Sequence, residues 1–136
     1  MFSNDRNEMR KVFFTAWHKH LNQLPLEATE AQLVAVIIMH PEYHAMLANP
    51  QNFQEENFGA ENPFLHLGLH LAIRDQVATD RPVGIKKIYA DLLVKHQEII
   101  IAEHQMMSCL EEILWQAQQS GSMPDEKVYL ENLQKL

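Results

Sequence analysis

The sequence predicts an all-α protein, a compact single-domain bundle of about five or six helices covering residues 1–136. Three observations predict it. Apolar residues recur three and four apart along most of the chain, strand-like alternation is almost absent, and a proline or glycine stands where most periodic segments stop. At 136 residues the chain is of single-domain size. Folding at that length buries roughly two-thirds of the unfolded surface, so no disulfide or metal is needed merely to hold the core.

The first helix is expected from a cap at Asn4 or Asp5 to about Leu21, with Met9, Val12, Phe13, Ala16, Trp17 and Leu21 on one stripe. Leu24-Pro25 ends it. A second helix is expected from about Glu27 to Met39, with Thr29 and Gln32 at capping-box spacing. Its run Leu33 to Ile38 is apolar all round and reads as a buried helix. Pro41 breaks it, and a short helix restarts with Pro41 at its first position and ends near Ala48. Asn49 to Glu61 is polar and reads as a loop, pinned to the core by Phe53 and Phe58.

Asn62-Pro63 is a strong helix start, a cap followed by proline at the first position. That helix runs to about Val77, is largely apolar, and is expected at the centre. Asp80, Arg81 and Pro82 restart the pattern, with Ile85, Ile88, Tyr89, Leu92 and Leu93 on the buried side. A further helix runs from about Glu98 to Gln119, stopped by Gly121 in the left-handed conformation. The last starts at Pro124 and buries Tyr129, Leu130 and Leu133. No repeat, low-complexity tract or composition break divides the chain.

Charge narrows the function classes. The formal net charge is −7. No Lys or Arg lies between Lys19 and Arg74, nor between Glu98 and Glu126, while both intervals carry acids. The basic cluster Arg81, Lys86, Lys87, Lys95 is too sparse for the basic face that displaces counterions, so nucleic-acid binding is not expected. The longest apolar run, Leu33 to Met39, is too short to span a bilayer, so no membrane is expected. No charged stretch followed by an apolar run opens the chain, so no signal peptide is expected. The single cysteine, Cys109, allows no intrachain disulfide and fits a reducing, cytoplasmic setting. Cys109 reads as a core thiol rather than a nucleophile.

The chemistry concentrates in histidine, of which the chain has eight. His66 and His70 stand four apart on the central helix and so share a face. His40 and His44 have the same spacing but straddle Pro41. Two imidazoles one turn apart can bind a divalent ion, and His104 or Glu111 from a facing helix would complete the site, suiting zinc, nickel or iron. Leu67 follows His66, so there is no HExxH, and no ExxH occurs. The same face leads on to Arg74, which is awkward beside a cation but natural in a polar ladder. The leading reading is therefore a buried network in which His66, His70 and Arg74 bond the carboxylates of Glu103, Glu111 and Glu112, because a buried carboxylate is costly unless paired. The alternatives are a divalent transition-metal site and a small anionic ligand. His18 and His20 point to different faces and are expected to be solvated.

HPEYH (His40 to His44), NPFLHLGLHLAIRDQ (Asn62 to Gln76), DRPVGIKKIY (Asp80 to Tyr89), AEHQMMSCLEEILWQAQ (Ala102 to Gln118) and the opening DRNEMRKVFFTAWHKH resemble a proteobacterial family, the domain of unknown function numbered eighteen-forty-one. The resemblance spans nearly the whole chain and implies a bacterial, cytosolic, single-domain protein, with no catalytic residues to carry over. The expected function is a non-enzymatic macromolecular-interaction domain whose acidic helices meet a basic partner. The alternative is a metal-binding helical protein, in the limit a metalloenzyme, using His66 and His70. A protein partner or a homodimer both fit.

Overall fold

The computed structural model describes residues 2–52 and 62–136. Among these there are seven α-helices and no strand. They are α1 (Phe2–Leu21), α2 (Ala28–Ile38), α3 (His44–Ala48), α4 (Pro63–Thr79), α5 (Ile85–His96), α6 (Ile99–Ser120) and α7 (Glu126–Gln134). The all-α class holds. The count exceeds five or six because the short α3 is a helix in its own right, led by a 3-10 turn at Pro41–Tyr43.

The chain forms two compact units, Met1–Leu71 and Ala72–Leu136, and the dividing line falls inside α4. In the first unit, α1 packs on α2 and α3. The core joins Phe13, Ala16 and Trp17 of α1, Leu33, Val34, Val36 and Ile37 of α2, Tyr43, Leu47, and Phe64 and Leu67 of α4. Phe64 meets both Phe13 and Phe14 edge-on at 5.6 Å, the arrangement that aromatic quadrupoles favour. In the second unit α5, α6 and α7 pack on one another. Its buried apolar residues include Ile73, Ile85, Leu92, Met106, Leu110, Ile113, Tyr129 and Leu133.

Helix ends show how local chemistry fixes the phase of each element. The Asn62 side-chain oxygen accepts from the Phe64 and Leu65 amides, so α4 starts where the Asn-Pro pair says it should. Asp80 accepts from the Gly84 and Lys86 amides and starts α5. Asp125 does the same for α7 through the Lys127 and Val128 amides, so that helix begins at Glu126, not at Pro124. Gly121 ends α6 with φ 69°, as its place after the last periodic residue requires. Gln97 takes the same left-handed conformation after α5, at φ 60°.

Several local expectations are corrected. Helix α1 begins at Phe2, so Asn4 and Asp5 lie inside it. Val12 and Leu21 of its stripe are exposed, because the core-facing stripe narrows to Phe13, Ala16 and Trp17. The start of α2 uses Glu30, whose carboxylate accepts the Glu27 amide, rather than Thr29 and Gln32. Glu30 also holds Lys19 of α1. Helix α2 is not buried all round, since Ala35 and Ile38 face solvent. The expected loop includes a 3-10 turn at Pro50–Asn52, and the anchors Phe53 and Phe58 fall outside the described residues.

Candidate metal centre

The first unit gathers three histidines that lie far apart in the sequence. His40 sits just past α2, where Pro41 forbids another turn of helix. There its ring folds back, and Nδ1 lies 2.8 Å from the Val36 carbonyl oxygen. A carbonyl only accepts, so Nδ1 carries the proton and donates. In the neutral ring the lone pair is then on Nε2. That atom stands 3.1 Å from Nε2 of His66. Asn62 and Pro63 set the start of α4, and His70 follows His66 one turn later on the same face.

The three rings surround a common point. Their centroids are 4.9 Å apart for His40 and His66, 4.7 Å for His40 and His70, and 5.0 Å for His66 and His70. Each pair is close to perpendicular, at 80°, 68° and 79°. One nitrogen from each ring lies within 4.8 Å of the others. His40 and His70 are fully buried and His66 is half-buried. Tyr43 stacks on the outer face of His40 with ring centroids 5.5 Å apart.

Two chemical states fit this geometry. Without a metal, His66 donates Nε2–H to the His40 lone pair. With a metal, both rings turn lone pairs to one ion. Bonds of 2.0–2.1 Å place two nitrogens about 3.3 Å apart around a tetrahedral ion and about 2.9 Å apart at right angles. The observed 3.1 Å lies between these. The Val36 carbonyl bond is the kind of outer-shell contact that fixes the tautomer and aim of a metal-ligating imidazole.

The remaining predicted residues belong to the second unit. Arg74 and Glu103 pair in the second unit, with Nε 2.9 Å from a carboxylate oxygen of a fully buried Glu103. Tyr89 donates to the same oxygen at 2.6 Å. Burial, and then the bond to Glu103, holds the Tyr89 hydroxyl well above the usual phenol range. Glu111 and Glu112 are exposed on α6, so the expected ladder is corrected to a single buried carboxylate. His104 lies on α6 beside Glu103 in sequence. Cys109 is half-buried, and burial raises its thiol, which fits a packed residue and not a nucleophile.

Sequence reasoning passed over His40 as a ligand because Pro41 interrupts the His40–His44 spacing. The usable signal was the break itself, which ends α2 and leaves His40 free to turn inward. His44 goes elsewhere, with Nε2 donating to the Ile37 carbonyl at 2.8 Å and its ring 4.5 Å from that of Trp17. His20 is likewise not simply solvated, since it stacks on Trp17 at 5.0 Å. His18 is exposed, as expected.

Fold and site together define an all-helical protein with a buried cluster of imidazoles joining the end of one helix to the face of another. The chain belongs to the family described as a domain of unknown function (DUF1841), which matches residues 5–135. No curated protein and no solved structure matches it. No helix among the described residues is long and apolar enough to cross a membrane.

Proposed function

We propose that this protein binds a divalent transition-metal ion through His40, His66 and His70. The carrying observation is the approach of His40 Nε2 and His66 Nε2 to 3.1 Å while His40 Nδ1 is held by a backbone carbonyl. An all-imidazole set suits zinc, nickel, copper or iron(II). The test is elemental analysis by plasma mass spectrometry of untagged protein prepared without chelator and then supplemented with each metal. Near-stoichiometric metal, lost in His40→Ala and in His66→Ala, is the expected result. Metal-free protein after supplementation would leave the cluster as a hydrogen-bonded network. The same measurement on His104→Ala and Glu111→Ala, the α6 residues of the sequence-based ligand set, reads whether either adds a donor.

A second reading, a macromolecular-interaction domain, is favoured by α6. Leu114 and Trp115 are exposed there, beyond the exposed acids Glu111 and Glu112. Such a surface suits a basic partner with an apolar anchor. Glu30 does not contribute, because it is buried and held by Lys19. Salt-sensitive capture of one partner, weakened by Trp115→Ala, would support this reading. A bacterial, cytoplasmic setting goes with both readings and fits the single cysteine. We also propose one folding domain, which a single cooperative urea transition seen by two probes would support.

A further inference from the structure

The second unit holds a cavity of about 300 Å³, lined by residues of that unit alone. Leu110, Ile113 and Leu114 of α6 and Met123 beyond it give the cavity apolar walls. The volume is at the small end of the range for small-molecule sites, which pair mostly apolar walls with a few placed polar groups.

The polar groups here carry both signs of charge. Arg81 lines the cavity just past the end of α4, where its amide donates to the Gln76 carbonyl oxygen at 2.9 Å. The Gln76 side-chain oxygen accepts from the hydroxyl of the buried Tyr129 at 2.7 Å, which leaves the Gln76 NH₂ as a donor. At the start of α7, Asp125 gives one carboxylate oxygen to the Lys127 and Val128 amides and keeps the other. Glu126 adds a second carboxylate. Among the described residues, no hydrogen bond or ion pair engages the Arg81 guanidinium or the Glu126 carboxylate. Both side chains are exposed, so a ligand can reach them from solvent.

Charge complementarity selects the occupant. A simple anion would meet two carboxylates, and a simple cation would meet a guanidinium. A zwitterion offers each group its opposite, and the fork of a guanidinium matches a carboxylate. The apolar walls call for an apolar body on the same molecule. We infer that this cavity binds a free α-amino acid with an apolar side chain. Its carboxylate lies at Arg81 and the Gln76 amide, its ammonium at Asp125 and Glu126, and its side chain against Leu110, Ile113 and Leu114. The site shares no residue with the histidine cluster, so either can fail without the other.

L-Phenylalanine is the probe, titrated into the full-length protein and followed by methyl and aromatic resonances. Phenethylamine, which lacks the carboxylate, and 3-phenylpropanoate, which lacks the ammonium, are the controls. Saturable shifts at Leu110, Ile113, Leu114 and Tyr129 are expected, with a Kd on the order of 1 mM or tighter. Each control should bind about tenfold more weakly. Arg81→Gln should weaken L-phenylalanine about tenfold without weakening phenethylamine. Glu126→Gln should weaken L-phenylalanine and phenethylamine without weakening 3-phenylpropanoate. Circular dichroism confirms that both variants keep the fold. Absence of saturation, or shifts that miss the α6 methyls, would overturn the site. Equal affinity for the three compounds would overturn the zwitterion assignment, and unchanged affinity in Arg81→Gln would overturn the placement of the carboxylate.

Discussion

His40 and His66, 26 residues apart in sequence, face each other Nε2 to Nε2 at 3.1 Å. If an ion stabilises that approach, the effect of removing His40 must depend on metal. In chelator, His40→Ala should lower stability by about 1–3 kcal/mol, the cost of a buried hydrogen-bonded group lost. In metal at a hundred times its Kd, the wild type alone should gain a further 2.7 kcal/mol or so. Urea unfolding of both proteins in both buffers measures this. An equal difference in the two buffers would sink the metal reading.

Glu103 is fully buried, and the Arg74 guanidinium and the Tyr89 hydroxyl both donate to it. Arg74→Met takes the guanidinium from the carboxylate, and Tyr89→Phe removes only a neutral hydroxyl. Arg74 is partly exposed, so solvent screens its share of the pair. Losses of about 2–3 kcal/mol for Arg74→Met and about 1 kcal/mol for Tyr89→Phe are expected. The reverse order in urea midpoints would mean that the hydroxyl, not the ion pair, stabilises Glu103.

Tyr89 and Tyr129 should resist base. Burial raises both hydroxyls, and Glu103 adds to the effect at Tyr89. A group whose acidity is weakened by folding adds stability that is intact below its unfolded pKa, about 10, and is lost as pH rises. Absorbance at the phenolate band should show these two residues ionising above the ordinary range or together with unfolding. A phenolate signal near the ordinary pKa of about 10 that disappears in Tyr89→Phe or Tyr129→Phe would contradict this.

At the acid end the relevant group is Glu30. The Glu27 amide, and then Lys19, hold its carboxyl below the usual range. A depressed pKa adds stability that is present above the unfolded value, about 4.3, and is lost as pH falls through the folded one. Glu30→Gln should therefore lower the thermal midpoint at pH 7 and matter little at pH 2. A pH-independent difference would assign the effect to packing.

The elements whose ends are written in local chemistry were legible in the sequence. Asn62-Pro63 marked the start of α4, and Gly121 the end of α6, because a cap and a left-handed stop act within a few residues. His66 and His70 were legible as a pair for the same reason. The third member was not. His40 joins them by a contact across 26 residues, which no periodicity reports. Tyr89 fitted an apolar face, and only its placement beside Glu103 shows the hydroxyl at work. Thr29 and Gln32 had the right spacing for a cap, but Glu30 wins because it satisfies the Glu27 amide and Lys19 together.

The Asn62 cap makes α4 an indexed part. Because the amides of Phe64 and Leu65 are tied to one side chain, the rotation of every later residue about the helix axis is counted from that point. One alanine inserted after Leu65 would turn His66 and His70 by about 100° and deliver apolar neighbours to the place they left. Such a variant has the same eight histidines and one residue more. It separates a property of composition from a property of angle, and the protein's affinity for a metal ion would reveal which of the two the fold was built to hold.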